Sequence, residues 1–251
     1  MLLKNSDKVM TLLSPADKVL DIGGWGHPFN RANWVMDREP YETRGYYNRA
    51  FARNNPLPPI GGTVEHFTKD TWIQRDICSG EPYPFGDKEL DFVICSHTLE
   101  DVRDPLRVCS EMIRIARAGY IEIPSRVWET CRGQEPKIAG LSHHRWLVEV
   151  NGNNIRFLQK FHSIHRWRFS LPKRVLTSLS AEESVTWLFW HNTFDYEEIV
   201  LHGNDQVHEL ERFVTQHHHY PRWLLRTEDA MRASYCRMAN AKNRLLRLVG
   251  S

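Results

Sequence analysis

The sequence has no long apolar stretch and almost no excess of charge of either sign. No apolar run approaches the roughly 20 residues of a membrane-spanning helix, and the first residues are too briefly apolar for a signal peptide. The 33 lysines and arginines nearly balance the 31 aspartates and glutamates, which argues against a nucleic-acid partner recognised by charge. We therefore expect a cytoplasmic, globular protein built as one domain with an elaboration.

Cysteine is also scarce, with five in the chain. The number is odd, and no two cysteines have the short paired spacing of a zinc site. They are therefore interpreted as reduced thiols that serve mainly in packing, which agrees with a cytoplasmic location. The five are Cys78, Cys95, Cys109, Cys131 and Cys236.

A short apolar run that ends in an acid and glycines is the most informative feature present. Val19 to Ile22 predicts a buried strand, and Gly23 to Gly26 predicts a tight turn at which backbone N–H groups can approach a ligand. Asp37 closes a second apolar run, where its carboxylate can accept both hydroxyl hydrogens of a ribose. Together they predict a site for an adenosine-bearing cofactor. The alternative is a plain turn between strands that binds no ligand.

The region from Lys18 to Arg126 resembles the class I S-adenosylmethionine-dependent methyltransferases. Asp21 to Gly26 is similar to their glycine motif, and Asp37 stands at the position of their ribose-binding acid. Asp76, after Trp72 to Arg75, is similar to the acid on the adenine side. The segment that follows the predicted strand at Leu90 also matches, although Asp101 stands where many members have histidine.

This resemblance implies an α/β fold with a Rossmann-like methyltransferase sheet and S-adenosyl-L-methionine as cofactor. Trp25 occupies the position of the usual second glycine, so contact of its ring with the ligand or the entrance is expected. Only Gly26 to Arg31 separate the turn from the next apolar run, which predicts a shortened first crossover without its usual helix. The implied cofactor residues are Asp21, Gly23, Gly24, Trp25, Gly26, Asp37, Asp76, Ile77 and Ser96.

Helix and turn patterns predict the remaining architecture. A short helix is expected at Lys8 to Leu13, and a longer one that Asp104 caps and Gly119 ends. Two antiparallel β-hairpins are expected, one around Asn151 to Asn154 and one around His191 to Thr193. The predicted units are a cofactor-binding core at 1–126, a hairpin-rich sheet edge that covers the substrate at 127–221, and a basic C-terminal helix at 222–251.

Histidines are the candidates for catalysis. Methyl transfer is an in-line displacement that depends mostly on positioning, but a hydroxyl acceptor benefits from a base with a pKa near the working pH. His97 follows the fourth predicted strand, while His143 and His144 lie beyond the fifth. The alternative is that all three are structural. A metal site formed with Glu100 and Asp101 is a further alternative, which we rank lower because the spacing matches no ligand motif, and no metal is assigned.

The predicted function is methyl transfer to a small-molecule acceptor, preferably O-methylation of a sugar or related metabolite. A cofactor-binding protein without transfer activity and an RNA-directed methyltransferase are the alternatives. Ser96 to Leu99 replaces the Asn-Pro-Pro-Tyr type of motif that base methylation would need. The basic segment at 222–251 could contact an anionic membrane surface or a protein, although packing against the domain is favoured.

Overall fold

A computed structural model describes residues 1–50 and 56–221 and, beyond these, only the single residues 223, 224, 226, 227, 230, 231, 234 and 238. The predicted basic helix at 222–251 lies largely outside the described residues. The strands are β1 (Val19–Ile22), β2 (Trp34–Asp37), β3 (Trp72–Gln74), β4 (Leu90–Ser96), β5 (Ala116–Pro124), β6 (Trp146–Asn151), β7 (Asn154–Gln159), β8 (Val185–His191) and β9 (Asp195–Ile199). The α-helices are α1 (Leu3–Leu12), α2 (Tyr46–Ala50), α3 (Pro105–Ile115), α4 (Arg126–Thr130), α5 (Lys173–Ser178) and α6 (Asn204–His217).

The main sheet has six strands in the order β3-β2-β1-β4-β5-β8. The first five are parallel, and β8 runs antiparallel to β5 at the edge. All four residues of β1 are buried, as expected for a central strand covered on both faces. The predicted Rossmann-like sheet with an antiparallel addition is therefore confirmed. No helix lies between β1 and β2, so the shortened first crossover is confirmed as well.

The core lies on both faces of this sheet. Val93 and Ile94 are neighbours in β4 and belong to different buried clusters, because successive strand residues point to opposite faces. Met112 of α3 packs in the cluster of Val93, and Val9 of α1 packs in the cluster of Ile94. The helix α1 begins five residues before the predicted Lys8 and ends at Leu12. Among the described residues, no helix is long and apolar enough to cross a membrane.

The helix α3 begins as predicted but ends early. The Asp104 side chain accepts a 3.0 Å hydrogen bond from the Arg107 N–H, and Pro105 is the first helical residue. The helix ends at Ile115, and the prediction that Gly119 ends it is wrong.

Gly119 lies inside β5, where two neighbours approach it closely. A Cβ atom there would be 2.6 Å from the carbonyl oxygen of Val93 and 2.7 Å from the ring of Trp190. The glycine therefore serves close packing between neighbouring strands. Glycine is favoured both at helix ends and at crowded strand positions. The presence of a glycine at position 119 therefore could not show which of these two structures forms there.

Only the first predicted hairpin is confirmed. β6 and β7 pair antiparallel around Gly152, which has a φ of +61°. The prediction of the second hairpin is wrong. β8 joins β5 in the main sheet, whereas β9 pairs parallel with β7 in a separate three-stranded sheet. Asn192, with a φ of +63°, turns the chain from one sheet to the other. Turn residues predict a change of direction, but packing of the apolar faces selects the partner strand.

The boundaries at residues 126 and 221 remain predictions. β8 lies beyond residue 126 and yet completes the main sheet. The four cysteines within the described residues are free and buried, in agreement with reduced thiols that serve in packing.

Candidate active site

A crevice of about 1110 Å³ opens where β1, β2 and β4 end. Ligands of open parallel sheets bind outside these carboxyl ends. Every residue predicted for the cofactor or for catalysis lines this crevice. They are Asp21, Gly23, Gly24, Trp25, Gly26, Asp37, Asp76, Ile77, Ser96, His97, His143 and His144. The fold thus brings residues up to 123 positions apart to one place, and their individual roles stay predictions.

The glycine turn is too crowded for side chains. Gly23 has a φ of +76°, and a Cβ atom there would be 2.1 Å from the hydroxyl oxygen of Thr98. At Gly24 a Cβ atom would be 2.2 Å from Oδ2 of Asp21. The Gly23 N–H donates a 2.8 Å hydrogen bond to the carbonyl of Met36, which ties the turn to β2. The turn therefore needs glycine for its backbone conformation and for the space.

Two acids support the turn. Oδ2 of Asp21 accepts a 2.8 Å hydrogen bond from the Phe29 N–H, and burial raises the pKa of Asp21 to about 7. Asp37 accepts hydrogen bonds from the N–H groups of Trp25 and Glu39. Burial also raises the pKa of Asp37, against these hydrogen bonds, which lower it. Both acids lie where a cationic or hydroxyl-bearing ligand would be attracted.

Asp76 and Trp25 also have protein partners. Asp76 accepts a hydrogen bond from the Cys78 N–H and forms an exposed 2.7 Å ion pair with Arg103. The ring of Trp25 stacks on Tyr46 with 4.7 Å between centroids, and both side chains line the crevice. The expected position of Trp25 at the ligand or its entrance agrees with this placement.

His97 lies directly after β4 in a left-handed conformation, with a φ of +54°. Its Nε2 is 3.2 Å from Oε1 of Glu122, and its Nδ1 is 3.7 Å from Oε1 of Glu100. Burial lowers the pKa of His97, but the two carboxylates outweigh this effect and raise it above the usual value. Burial raises the pKa of Glu122, but His97, the N-terminal amino group and the Tyr120 hydroxyl outweigh this effect and lower that pKa to about 2. His97 is therefore suited to carry a proton rather than to accept one.

His143 and His144 lie between α4 and β6 and have different surroundings. His144 is buried, with its Nδ1 2.8 Å from Oε2 of Glu129. Burial works to lower the pKa of His144, but Glu129 raises it overall. His143 is exposed, and the partial desolvation of its ring, together with nearby His144, lowers its pKa. Of the three candidate histidines, His143 is the one best suited to accept a proton.

Two acids of this region were missed from the sequence. Glu122 lies in the apolar run of β5, where an isolated acid was a usable indication of a special environment. Glu129 lies on the five-residue helix α4, which is too short to show a periodic pattern. Its importance depends on contacts with residues far along the chain, which no local pattern reveals.

The sheet order and the position of the crevice define an α/β protein whose crevice lies at the carboxyl ends of parallel strands, where ligands of such folds bind. Residues 62–121 match the family described as a methyltransferase domain. This match covers 60 of the 251 residues and agrees with the resemblance to the class I S-adenosylmethionine-dependent methyltransferases, whose cofactor is S-adenosylmethionine. No curated protein matches the sequence.

Three solved structures illustrate the likeness. A protein from Bacillus halodurans described as a methyltransferase is 24% identical, with a TM-score of 0.32, over 49% of this chain and 52% of that one. A methyltransferase from Methanosarcina mazei is 16% identical, with a TM-score of 0.33, over 57% and 85%. One from Aquifex aeolicus is 14% identical, with a TM-score of 0.29, over 52% and 68%.

The present chain thus spans about half the length of the Bacillus halodurans protein. The likeness to methyltransferases therefore rests on the family match and on the sheet order.

Proposed function

We propose that the protein transfers the methyl group of S-adenosylmethionine to a hydroxyl group of a small polar acceptor, with a sugar or related metabolite preferred. The observation that carries this proposal is that three histidines line the same crevice as the glycine turn and Asp37. The turn and the acid would hold the cofactor, and the histidines would lie at the acceptor.

The reaction needs positioning more than it needs covalent participation of the protein. A lone pair of the acceptor oxygen forms a bond to the methyl carbon, while the bond from that carbon to sulfur breaks and its electron pair stays on sulfur. S-adenosylhomocysteine and the methyl ether are the products, and the hydroxyl proton passes to a base. Holding oxygen, carbon and sulfur in line supplies most of the rate.

The histidines favour a hydroxyl acceptor over an amine. An unprotonated amine already has a reactive lone pair, whereas a hydroxyl gains reactivity when its proton is removed or its pKa is lowered. The lowered pKa of His143 keeps its imidazole neutral near pH 7, so this ring can accept a proton. Trp128 and Leu141 line the same crevice, where their apolar side chains would help to exclude water from the reacting groups.

The size of the crevice favours a small acceptor. Small-molecule sites commonly have volumes of about 300–1,000 Å³, and this crevice has about 1110 Å³ for cofactor and acceptor together. A metabolite fits this space better than a folded macromolecule does.

The proposal is tested by incubating the protein with S-adenosylmethionine carrying a labelled methyl group and a panel of hydroxylated metabolites. We expect label in a methyl ether with the wild type and much less label with Asp37→Ala when the concentration of S-adenosylmethionine is subsaturating. Asp195→Ala, at an exposed position of β9, is the matched control and should retain transfer. Label found only on amines would overturn the choice of acceptor. Cofactor binding without transfer to any compound would favour the inactive cofactor-binding alternative.

A further inference from the structure

Three side chains that can each bind a metal ion lie close together at the end of the crevice that contains His143 and His144. One potential ligand atom from each of Asp101, His143 and His144 lies within 4.8 Å of the other two. Nε2 of His144 is 3.7 Å from Oδ1 of Asp101, which is too long for a hydrogen bond. Two ligand atoms that each bind one ion at about 2.1 Å lie about 3–3.7 Å apart. This separation fits two ligands that share one ion, and it also fits an ion pair when His144 is protonated.

An unsatisfied oxygen points to the same place. Oδ1 of Asp101 is inaccessible to solvent and has no hydrogen-bond partner among the described residues. An unpaired buried carboxylate oxygen costs free energy, so such atoms are rare unless a ligand or an ion completes them. A cation between Asp101 and His144 would satisfy this oxygen.

Glu129 orients His144 for binding an ion. Its Oε2 is 2.8 Å from Nδ1 of His144, while its Oε1 accepts hydrogen bonds from the Leu141 N–H and from Nζ of Lys160. A carboxylate can only accept, so Nδ1 carries the hydrogen, and in the neutral ring Nε2 presents its lone pair towards Asp101. Histidine ligands of metals commonly have such a carboxylate on the other ring nitrogen.

Gly140 makes room for this carboxylate. With a φ of +62° at Gly140, a Cβ atom there would be 2.0 Å from Oε1 of Glu129. Lys160 balances the buried charge of Glu129, and both side chains are almost fully buried. The position of His144 is therefore determined by packing and charge pairing, without any contribution from a ligand.

We infer that Asp101, His143 and His144 bind one divalent transition-metal ion, such as Zn²⁺, at the acceptor end of the crevice. Two imidazole nitrogens and one carboxylate oxygen suit Zn²⁺ or Co²⁺ better than Mg²⁺ or Ca²⁺, which prefer oxygen ligands. Three protein ligands leave a coordination position open, as in catalytic zinc sites. His143 is exposed, so rotation of its side chain can bring its ring to bonding distance.

The role of this ion rests on the proposed function. The acceptor hydroxyl would occupy the open position, where the cation lowers its pKa and fixes its oxygen against the methyl carbon. The hydroxyl proton would leave to water, and His143 would then act as a ligand in place of acting as the base. Methyl transfer itself would follow the displacement described above.

Metal binding is tested on the protein alone, after a chelator has removed bound metal. The run His217 to His219, in which His217 and His219 are exposed, could also bind Zn²⁺, so the measurements use a His218→Ala/His219→Ala background. Titration calorimetry with Zn²⁺ should show one site of micromolar or tighter affinity, and Co²⁺ should give visible absorption bands. An excess of Mg²⁺ should displace neither ion.

Substitutions distinguish the residues that bind the metal ion from residues that do not. His143→Ala and Asp101→Asn should weaken Zn²⁺ binding about a hundred-fold, and Glu129→Gln should weaken it about 10–100-fold as a positioning residue. His202→Ala, an exposed histidine elsewhere, should leave binding unchanged. S-adenosylmethionine binding serves as the check of folding in each variant, because the turn and Asp37 are untouched. Unchanged Zn²⁺ affinity in folded Asp101→Asn and His143→Ala would overturn the site.

The outcome also distinguishes this inference from the proposed function. Methyl transfer that persists in chelator, in a protein that binds no Zn²⁺, would overturn the metal site and leave O-methylation standing. One bound Zn²⁺ lost in the ligand variants, with no transfer to any hydroxyl, would support the metal site and overturn the proposed function.

Discussion

The Asp37 carboxylate accepts a 3.1 Å hydrogen bond from the backbone N–H of Trp25 through Oδ2. Its other oxygen accepts a 2.9 Å hydrogen bond from the Glu39 N–H. The acid at the end of β2 therefore holds the turn that follows β1. A carboxylate has about four lone-pair positions, so Asp37 keeps acceptor capacity for the two hydroxyls of a ribose.

Asp37→Ala is expected to weaken binding of S-adenosylmethionine and S-adenosylhomocysteine by about ten-fold or more. The variant loses charge-assisted hydrogen bonds to the ribose and also the bond that holds Trp25. Calorimetry measures both affinities, and Asp37→Asn should have a smaller effect because its amide oxygen can still accept one bond. Equal affinities for wild type and Asp37→Ala would contradict the assignment of this acid to the cofactor.

Gly24→Ala is expected to destabilise the turn by about 2 kcal/mol or more, since the added Cβ atom would be 2.2 Å from Oδ2 of Asp21. Urea denaturation measures this loss, and cofactor affinity should fall with it. Gly80→Ala is the matched control because open space surrounds Gly80. A Gly24→Ala protein as stable as the Gly80→Ala protein would show that the turn has another conformation.

Asp21 should make stability depend on pH. Its folded pKa of about 7 is above its ordinary 3.8, so the folded state binds more protons between these values and stability falls as pH rises through this window. Asp21→Asn removes the titrating carboxyl group, and its amide oxygen can still accept the hydrogen bond from the Phe29 N–H. The stability of Asp21→Asn relative to wild type should rise by the order of 3 kcal/mol from pH 4 to pH 8. A difference between the two proteins that is constant over this range would refute the raised pKa.

The three histidines should separate into two classes. His143→Ala and His144→Ala should each lower turnover about a hundred-fold and retain cofactor binding, because they act at the acceptor. His97→Ala and His144→Ala should also lose about 1–3 kcal/mol of stability, since each removes a partner of a buried carboxylate, that of Glu122 at 3.2 Å and that of Glu129 at 2.8 Å. Turnover assays and urea denaturation measure these effects, with His202→Ala as the exposed control. Normal turnover in all three variants would exclude a role in activating the acceptor.

Gly119→Ala distinguishes a strand position from a helix end. Within β5 the added Cβ atom would be 2.6 Å from the Val93 carbonyl oxygen, so we expect a loss of about 2 kcal/mol or more in urea denaturation. At an exposed helix end the same change would cost much less. A near-neutral effect would therefore contradict the strand assignment.

The cofactor end of the crevice was predictable because each of its parts is a local pattern. Strand, acid and glycines follow one another at Val19 to Gly26, and Asp37 ends the next strand. Parallel strands bring their carboxyl ends to one edge, so two local patterns were enough to place both groups together. The acceptor end was only partly predictable: His143 and His144 were identified as candidates, but Glu129 and its support of His144 were not.

By itself, the sequence determined the positions of β1, β2 and β4, the missing first crossover helix and the glycine turn, because neighbouring residues specify each of these. The tertiary structure alone decided that β8 and β9 enter different sheets, that Gly119 packs against Trp190, and that Asp101 faces His144. These relationships depend on apolar faces and charges distant along the chain, whose pairing is chosen by the free energy of the whole packed core.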